Sequence, residues 1–528
     1  MSSVTATSST MKHGLSTATL DSLAITANSF ASANGLLIEK ERNKFEAAPM
    51  SLLPNAYPKA AFTQAQALAP MYNLLVDRVS RDADFLQQTL SQVVQQDPYT
   101  AKLLQLYQSV YNSDHKTSAQ LADRFNIHRS DYMLHQKDDQ VLLQQIELNT
   151  IAASFASLAC KVASLHSFLE QRFAEEKDVQ ELLQRNQKAV LGGNEGTASG
   201  VPVNPALECL PAAMHLAVQR YQERFSTSSG LPLAVLFVVQ EGETNTVDQR
   251  TLEFELFRKH GVPVVRLSLT KLQDHVTLDE SSGALTIQKN DGSGQFEVAL
   301  VYFRAGYAPT DYPDGDDGVE WKSRLLLEQS RATKAPSLGY HLAGTKKVQQ
   351  ELARPGVLER FFPNEPDMVD LMRQSFAGLY SLGVDVTDED LKAVQAVLDG
   401  EHGQYVLKPQ REGGGYNFYG EQLLEKLKAN VKKDETGKLI LDEKLGEYIL
   451  MERLFPPTQH AILLRAGNVE ASGDSVSELG CYGTILCDAD GKVLHNEYGG
   501  FLLRTKLKNV NEGGVAAGFA TLSSPYLC

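Results

Sequence analysis

The chain has 528 residues, of which 42% are apolar and 22% are charged. This composition is ordinary for a soluble globular protein, and it excludes a disordered, collagen-like or disulfide-scaffold protein. At roughly 150 residues per domain, the length predicts about three or four structural units. The net charge of −15 argues against a general binder of nucleic acid or anionic membranes, because such proteins need a basic face. An anionic ligand would therefore need a local basic pocket or a metal ion.

The cysteines, the apolar runs and the first residues bear on where the protein works. Five cysteines with no Cys-x-x-Cys spacing predict neither a disulfide framework nor a zinc site, so we expect a reducing, cytoplasmic environment. No uncharged apolar run approaches the length of about 20 residues that spans a bilayer, and we expect no membrane partner. Residues 1–20 are rich in Ser and Thr and lack Arg, so we expect a flexible tail rather than a targeting segment.

Residues 21–225 are predicted to form a mainly helical part. Apolar residues recur there at three-, four- and seven-residue steps, which places them on one helix face. These residues are Leu75, Val79, Leu86, Leu90 and Val93. The segment 191–205 is rich in Gly and Pro and predicts a linker or exposed loop.

Residues 226–340 show strand, helix and strand patterns in turn, which predicts an α/β domain. The predicted elements are a buried strand at 233–240, a helix at 247–259, a strand at 262–268 and a hairpin of 284–288 with 296–303. Residues 341–528 mix short strands with helices. Strand candidates there are 404–407, 448–451, 461–465, 481–487 and 501–505.

The stretch 406–415 (VLKPQREGGG) is the most informative motif. Lys408 supplies a compact positive charge, and consecutive glycines let backbone N–H groups approach phosphate oxygens. Glu412 makes sense beside phosphates if it holds a cation that in turn binds them. A glycine hairpin with a surface charge pair explains this stretch equally well.

Two further motifs allow a ligand site or an ordinary structural role. In 145–150 (QIELNT), a strand would point Glu147 and Asn149 to one side, where their oxygens suit Mg²⁺; an ordinary polar strand face is the alternative. In 502–506 (LLRTK), Arg504 and Lys506 share a side of a strand. The small residues that follow suit a loop that closes over a small ligand, or a turn with no ligand.

Three other cations resemble ordinary surface charges when taken singly: Arg129, Arg304 and Lys346. Arg304 stands out because it ends an apolar strand, where ligands of α/β sheets tend to bind. None of the 12 histidines has the spacing of a zinc site.

Taken together, strings in one order across residues 50–520 resemble the eukaryotic-type glutathione synthetases, a family of ATP-grasp ligases. The strings are HRSDY (128–132), QIELNTIAASF (145–155), VDQR (247–250), VYFRAGY (301–307), LAGTKKVQQEL (342–352), LKPQREGGG (407–415), YILME (448–452), SELG (477–480) and LLRTK with GGVAAG (502–518).

The resemblance implies an α/β (α+β) ATP-grasp fold. Its parts would be a helical region contributing one metal-binding strand (21–225), a substrate-binding domain (226–340) and a nucleotide-binding region with glycine-rich lids (341–528). It also implies that ATP, γ-glutamylcysteine and glycine give glutathione, ADP and phosphate through an acyl phosphate, with two Mg²⁺ ions per active site and a homodimer. The alternatives are a catalytically silent nucleotide-binding scaffold, a kinase, and a ligase for another acceptor such as β-alanine.

Matched position by position, the resemblance implies site roles. The metal ligands would be Glu147, Asn149 and Glu412. The ATP-binding residues would be Glu147, Lys346, Lys408, Gly413, Gly414, Asn417, Tyr419, Met451, Glu452, Leu454, Glu478, Lys506 and Glu512. The substrate contacts would be Arg129, Ile151, Ala152, Ala153, Ser154, Glu243, Asn245, Gln249, Arg304, Tyr307, Arg504, Val515 and Ala516. The catalytic group would be Arg504, Lys346 and Lys408.

Three positions depart from the family pattern: Ala152, Tyr416 and Glu512. Ala152 stands where a serine is common, so one substrate hydrogen bond could be lost unless the backbone supplies it. None of the three removes a predicted metal or phosphate ligand. Because water would hydrolyse an acyl phosphate, we expect the glycine loop and the 507–518 loop to close as lids.

Overall fold

Helices and strands are mixed along the described part of the chain. The computed structural model describes residues 11–111, 118–138, 140–194, 196–225, 230–289, 292–410, 416–511, 513–515 and 518–528. The helices are α1 (Thr17–Asn34), α2 (Lys59–Arg81), α3 (Ala83–Leu90), α4 (Val93–Gln96), α5 (Pro98–Tyr111), α6 (Ser118–Leu121), α7 (Ala156–Arg172), α8 (Lys177–Val190), α9 (Ala206–Phe225), α10 (Thr246–His260), α11 (Leu272–His275), α12 (Val319–Gln329), α13 (Leu338–Ala343), α14 (Lys346–Ala353), α15 (Val357–Phe361), α16 (Pro366–Gln374), α17 (Asp388–Ala396) and α18 (Gly420–Asn430).

The strands are shorter on average, with four long exceptions. They are β1 (Met11–Lys12), β2 (Leu15–Ser16), β3 (Leu37–Glu41), β4 (Lys44–Ala47), β5 (Met50–Ser51), β6 (Asn55–Tyr57), β7 (Arg124–Lys137), β8 (Gln140–Asn149), β9 (Leu233–Val238), β10 (Val264–Leu267), β11 (Val276–Leu278), β12 (Leu285–Gln288), β13 (Gln295–Phe303), β14 (Thr333–Ala335), β15 (Leu379–Ser381), β16 (Tyr405–Pro409), β17 (Phe418–Tyr419), β18 (Val431–Lys433), β19 (Leu439–Leu441), β20 (Tyr448–Glu452), β21 (Gln459–Arg465), β22 (Asn468–Cys487), β23 (Val493–Leu507), β24 (Thr521–Ser523) and β25 (Pro525–Leu527). The mixed α/β class predicted from the sequence is confirmed.

One large sheet runs through the molecule. Strands β10, β9, β13, β14 and β7 lie side by side and parallel, and β7 then pairs antiparallel with both β8 and β22. Beyond β22 the sheet continues through β21, β5, β24 and β23, and β23 also pairs directly with β22. The chain segments that carry HRSDY, QIELNT, SELG and LLRTK therefore lie on four neighbouring strands.

Hydrophobic clusters cover both faces of this sheet. On β13, Val301 and Phe303 pack into one cluster with α2, α3 and α5, while Leu300 and Tyr302 pack into the other with α7, α9 and α10. Because successive side chains of a strand point to opposite faces, burial on both faces requires a continuous apolar run. The apolar sequence of β9 and β13 follows from that requirement.

A second sheet of four antiparallel strands has the order β15, β20, β16 and β17. Its two faces pack in separate small clusters: α17 and α18 cover Leu407 and Leu450, whereas Val406, Ile449 and Met451 face the large sheet. The face of the small sheet that carries Val406, Ile449 and Met451 thus brings β16 and β20 close to β7 and β8.

The predicted elements are largely confirmed in the part of the chain that the structure describes. β9, α10, β10 and the antiparallel pair β12–β13 occupy the predicted places. The five late strand candidates correspond to β16, β20, β21, β22 and β23, of which β22 and β23 are far longer than predicted. α1 begins at Thr17, before the boundary at residue 21. None of the helices described combines the length and apolar character that crossing a bilayer requires.

Within the mainly helical part predicted at 21–225, where the sequence suggests a strand only at 145–150, residues 124–149 are not helical. This stretch forms the β7–β8 hairpin, and most of β7 is buried on both sides. Because alternation is missing from such a strand, its sequence carries no period-2 signal. The periodic stretch around Leu75 and Val93 is also divided, since Asp82 ends α2 and its carboxylate accepts a hydrogen bond from Phe85 N at the start of α3 (2.9 Å).

Candidate active site

A cavity of about 600 Å³ lies between the two sheets, and we call it the central cavity. One wall is formed by β7, β8 and the loop after β8. The opposite wall is formed by β16, β17 and β20, and the floor by the middle of β22 and the end of β23. Its size is within the range of small-molecule sites.

Most predicted site residues line the central cavity. They are Arg129, Glu147, Asn149, Ile151, Ala152, Ala153, Ser154, Tyr307, Lys408, Asn417, Tyr419, Met451, Glu452, Leu454, Glu478, Arg504, Lys506 and Val515. The predicted residues Glu412, Gly413, Gly414, Glu512 and Ala516 lie outside the described residues, and so do parts of both expected lids.

Two predicted cations sit just behind the cavity wall. Lys346 is the first residue of α14 and is buried, with its Nζ 3.6 Å from Glu147 Oε1. Arg304 follows β13 and is 3% exposed; it donates to Ala153 O and to Ser154 Oγ, both at 2.7 Å. Arg304 Nε is buried and has no partner among the described residues, so this guanidinium retains a free donor.

Three predicted substrate residues form a group at the start of α10, outside the cavity lining. Glu243 accepts hydrogen bonds from Gln249 Nε2 (2.5 Å) and from Asn245 N (2.7 Å). Arg266, which the sequence did not single out, donates to Gln249 Oε1 at 2.7 Å. Because an arginine can only donate, it holds the amide oxygen of Gln249 and turns the amide nitrogen toward Glu243.

The loop between β8 and α7 has an unusual backbone. Ala152 and Phe155 have φ values of +51° and +73°, a left-handed conformation that costs energy for residues other than glycine. Asp248 holds the loop by accepting hydrogen bonds from Phe155 N (2.7 Å) and Ser157 N (2.8 Å). Ala152 O accepts a hydrogen bond from Ser154 Oγ at 2.9 Å. At position 152, where a serine is common in the family, the backbone therefore takes part in the hydrogen bonding of the loop.

Cations surround Glu147 on several sides. Burial raises the pKa of Glu147, but Lys346, Lys408 and Arg504 lower it more, so that the net shift is downward and the carboxylate is held ionised. Lys408 Nζ donates to Ile146 O at 3.0 Å, which keeps its charge beside β8. Glu147 and Lys408 belong to distant motifs, and the structure brings them into the same cavity from opposite walls.

A second carboxylate organises the floor of the cavity. Glu478 lies 3.0 Å from both Arg504 Nη2 and Lys506 Nζ. Burial raises the pKa of Glu478, but Lys506 and Arg504 lower it by more, so that the resulting pKa is about 2. Lys506 Nζ also donates to Asn511 O at 2.7 Å, which ties the start of the 507–518 loop to this floor.

This low pKa predicts that the free energy of unfolding decreases at acid pH, as Glu478 becomes protonated. Since its folded pKa is about 2 and its ordinary pKa is 4.5, the carboxylate contributes about 3 kcal/mol to the free energy of unfolding at neutral pH. The contribution is complete above about pH 4.5 and is lost as the pH falls toward 2. Urea unfolding should therefore show Glu478→Gln less stable than wild type at about pH 7, with the difference shrinking at about pH 3.5.

The exposed Glu470, which pairs with Arg465 at 2.7 Å, supplies the matched control. Glu470→Gln should change stability by less than about 1 kcal/mol at either pH, as surface ion pairs do. A destabilisation by Glu478→Gln that is the same at both pH values would contradict the assignment.

Several lining residues were not predicted from the sequence. Arg453, which directly follows β20, is joined to Asn511 in the 507–518 loop, with Arg453 Nη2 donating to Asn511 Oδ1 at 3.0 Å. Asp131 lies beneath the wall, bonded to Arg129 and Arg504. Its position was in reach of sequence reasoning, because Asp131 is two residues from Arg129 on a strand and so shares its side.

The donors fit Mg²⁺ as far as the structure describes them. Glu147 and Asn149 lie on β8 and line the central cavity together, and carboxylate and amide oxygens are the ligands that this hard cation prefers. No cluster of three His, Cys, Asp or Glu side chains suited to a metal occurs in the described ranges. The third predicted ligand, Glu412, is outside them.

Comparison with known proteins identifies the family. The family described as "Eukaryotic glutathione synthase, ATP binding domain" matches residues 17–527. The chain is 42% identical over 482 residues to a chloroplastic glutathione synthetase of Solanum lycopersicum, covering 91% of this chain and 78% of the relative. It is 36% identical over 513 residues to the Homo sapiens glutathione synthetase, covering 96% and 97%.

A solved structure has the same fold. A glutathione synthetase-like effector from Globodera pallida, in its apo form, matches with a TM-score of 0.71 and 20% identity, covering 97% of both chains. At that identity the likeness concerns the fold alone. The sequence matches decide the family, and this chain belongs to the eukaryotic glutathione synthases, which are ATP-dependent ligases.

Proposed function

We propose that this chain joins γ-glutamylcysteine to glycine, converting ATP to ADP and phosphate and giving glutathione. The observation that carries the proposal is the composition of the central cavity. Lys408, Arg504 and Lys506 line it together with Glu147 and Asn149. Such a set of cations and oxygen donors in one cavity suits a triphosphate beside a second anionic substrate.

The chemistry requires this concentration of positive charge. A carboxylate resists attack by an amine, so the cysteinyl carboxylate oxygen first attacks the γ-phosphorus of ATP; the bond to the β-phosphate oxygen breaks and ADP leaves. The glycine amine then attacks the acyl phosphate carbonyl, loses a proton, and phosphate departs. Two like charges about 4 Å apart cost about 4 kcal/mol at an effective dielectric constant near 20, so neighbouring cations are needed.

Two lysines and an arginine divide this task. Lys346 and Lys408, the two cations that lower the pKa of Glu147 most, would hold phosphate oxygens. Arg504 has a buried Nε with no partner among the described residues. That donor would stabilise the negative charge that develops on the phosphoryl group and carboxylate.

Glu147 and Asn149 would hold Mg²⁺, and we propose two ions per site with Glu412 as a further ligand. When bound, Mg²⁺ would neutralise phosphate charge and orient the γ-phosphate. Glu147 is already ionised by its cationic neighbours, which keeps it ready as a ligand.

The dipeptide would bind between the β8–α7 loop and β13. Arg129 and Ser154 line the cavity, and Arg304 contacts Ser154 from behind. The free donor of Arg304 Nε supports an anionic ligand there, since an unsatisfied buried donor is costly. Glu243 and Gln249 at the start of α10 would then contact the γ-glutamyl end.

The apolar end of the cavity suits a purine base. Ile146, Val406, Met451 and Leu454 line it next to the backbone of β20. We propose that adenine lies there, so that the triphosphate extends toward Lys408.

The domain roles follow: 21–225 supplies a metal-binding strand, 226–340 the dipeptide site, and 341–528 the nucleotide site with its lids.

We also propose a cytoplasmic homodimer. All five cysteines are free, which supports a reducing compartment; the dimer rests on the family resemblance. Relatives from Solanum lycopersicum and Arabidopsis thaliana are named as chloroplastic, so cell fractionation tests the compartment. Sedimentation analysis tests the dimer.

The decisive experiment supplies ATP, Mg²⁺ and γ-glutamylcysteine with glycine, and detects the tripeptide by mass spectrometry. We expect phosphate release to require glycine and to match tripeptide formation. Phosphate release that is independent of glycine would instead indicate a kinase, and no turnover would indicate a silent scaffold. Replacing glycine with β-alanine tests the acceptor, and equal rates with both would contradict glycine as the preferred acceptor.

A further inference from the structure

A single buried carboxylate connects three of the proposed site residues. Asp131 is 0% exposed and accepts four hydrogen bonds. Arg129 donates through Nε to Oδ1 (2.7 Å) and through Nη2 to Oδ2 (2.8 Å), and Oδ2 also accepts from Arg504 Nη2 (2.8 Å) and Asn149 Nδ2 (3.1 Å). An ionised carboxylate has about four acceptor positions, and the chain's own donors match that number, with three of them on Oδ2.

These bonds fix the direction of the Asn149 amide. Asn149 Nδ2 donates both to Asp131 Oδ2 and to Arg129 O (3.1 Å). Both partners can only accept, so the NH₂ group must face them and the amide oxygen must face away. Because Asn149 lines the central cavity, its oxygen remains available there for a metal, and Asp131 Oδ2 holds the amide in this orientation together with Arg129 O.

The same carboxylate fixes two guanidinium groups. Arg129 commits Nε and Nη2 to Asp131, which leaves Nη1 near Ser154 O at 3.3 Å. Arg504 commits Nη2 to Asp131 and Glu478, which leaves its buried Nε without a partner among the described residues. Each arginine is held by one edge and keeps donors for a ligand at another edge.

Gly480 provides the space for this arrangement. It pairs with Asp131 across β22 and β7. A Cβ atom at position 480 would lie 2.6 Å from Asp131 Oδ1 and 2.8 Å from Arg129 Cδ. Those approaches are too close for a side chain, so any residue larger than glycine would displace the Arg129–Asp131 pair.

We propose that Asp131 is the positioning residue of this active site, directing the Asn149 oxygen to metal, Arg129 to the dipeptide and Arg504 to the reacting carboxylate. It does so without touching a substrate. The inference rests on the proposed function for its substrate roles, while the arrangement of the donors stands on the geometry alone.

The test compares Asp131→Asn with Asp123→Asn. Asparagine keeps the size of the side chain but offers one acceptor atom and a competing NH₂ group, so at least one of the four donors loses its partner and faces an N–H group instead. Asp123 is also buried and pairs with two arginines, Arg220 and Arg224, but it lies outside the cavity lining. Both variants should lose thermal stability, which makes Asp123→Asn the control for stability alone.

Two measurements separate positioning from stability. Mn²⁺ binding in the presence of ADP, followed by electron paramagnetic resonance, should weaken by about 10- to 100-fold in Asp131→Asn, the usual effect of removing a residue that orients a metal ligand. The KM for γ-glutamylcysteine should rise by about tenfold or more for the same reason. Asp123→Asn should leave both values unchanged.

A second variant covers the case in which Asp131→Asn fails to fold. Gly480→Ala keeps every charge and displaces the Arg129–Asp131 pair, so it should raise the KM for γ-glutamylcysteine. Unchanged Mn²⁺ affinity and KM in Asp131→Asn would overturn the proposal, as would equal losses in Asp123→Asn, or an unchanged KM in a folded Gly480→Ala variant. If wild type forms no tripeptide, the proposed function fails, but the Mn²⁺–ADP measurement still decides whether Asp131 directs Asn149.

Discussion

Replacing Arg504 with lysine should lower kcat by about 100- to 1,000-fold, the usual effect of removing a donor that stabilises transition-state charge. Arg504 is held by two buried carboxylates, Asp131 (2.8 Å) and Glu478 (3.0 Å), and its Nε has no partner among the described residues. Lysine keeps the positive charge but lacks the planar fork that binds two carboxylates and a third group at once. Steady-state kinetics of tripeptide formation would measure the change.

The form of the loss tests the role of Arg504. A group that acts mainly in the transition state lowers kcat and kcat/KM together, whereas a group that binds the ground state equally well raises KM alone. An unchanged kcat with a raised KM would therefore contradict a catalytic role. Arg373→Lys is the matched control, because Arg373 also pairs with a glutamate, Glu359, at 2.8 Å, but lies outside the cavity lining and should leave both constants unchanged.

The motifs predicted the composition of the site better than its geometry. Glu147, Lys408 and Glu478 were predicted as ligand contacts, and all three line the central cavity. The sequence could not show that β7 and β22 are paired, because pairing depends on side-chain packing between strands far apart in the chain. Consequently Gly480, whose missing side chain makes room for Asp131 and Arg129, was not recognised as part of the site.

The same limit explains the elements that were misjudged. Strands with one exposed face alternate visibly, but most of β7 is buried on both faces, and its sequence gives neither a strand nor a helix period. By contrast α10 was predicted nearly to its ends. It begins after Asn245 and ends at Gly261, whose left-handed conformation (φ +69°) closes the helix, and glycine at that position is a strong sequence signal.

The pairing of Lys346 with Glu147 shows what only the fold can supply. Singly, Lys346 resembles a surface cation, yet it is buried at the start of α14 with its Nζ 3.6 Å from Glu147. A buried ammonium is costly unless a carboxylate or a ligand compensates it. Glu147 compensates it without substrate, and an incoming triphosphate would compete for the same lysine.

That competition sets the expected result for Glu147→Gln. The variant should need more Mg²⁺ for activity, and it should bind metal-free ATP more tightly. Losing the metal carboxylate should lower kcat by about 100-fold, corresponding to about 3 kcal/mol of charge stabilisation, and raise the Mg²⁺ concentration for half-maximal rate. Metal-free ATP should bind about tenfold more tightly, because a like charge about 4 Å from a phosphate oxygen costs about 1–4 kcal/mol. Calorimetric titration with ATP in EDTA measures the second effect, and a Mg²⁺ titration of the rate measures the first.

Glu359→Gln is the control for the substitution itself, since Glu359 also pairs with a cation, Arg373 (2.8 Å), but lies outside the cavity lining. It should change neither the Mg²⁺ dependence nor ATP affinity. A Glu147→Gln enzyme with the wild-type rate at the wild-type Mg²⁺ concentration would refute the ligand role. Weaker rather than tighter binding of metal-free ATP would show that Glu147 serves mainly to keep the two lysines in place, because its loss would then disorder the phosphate site instead of relieving repulsion there.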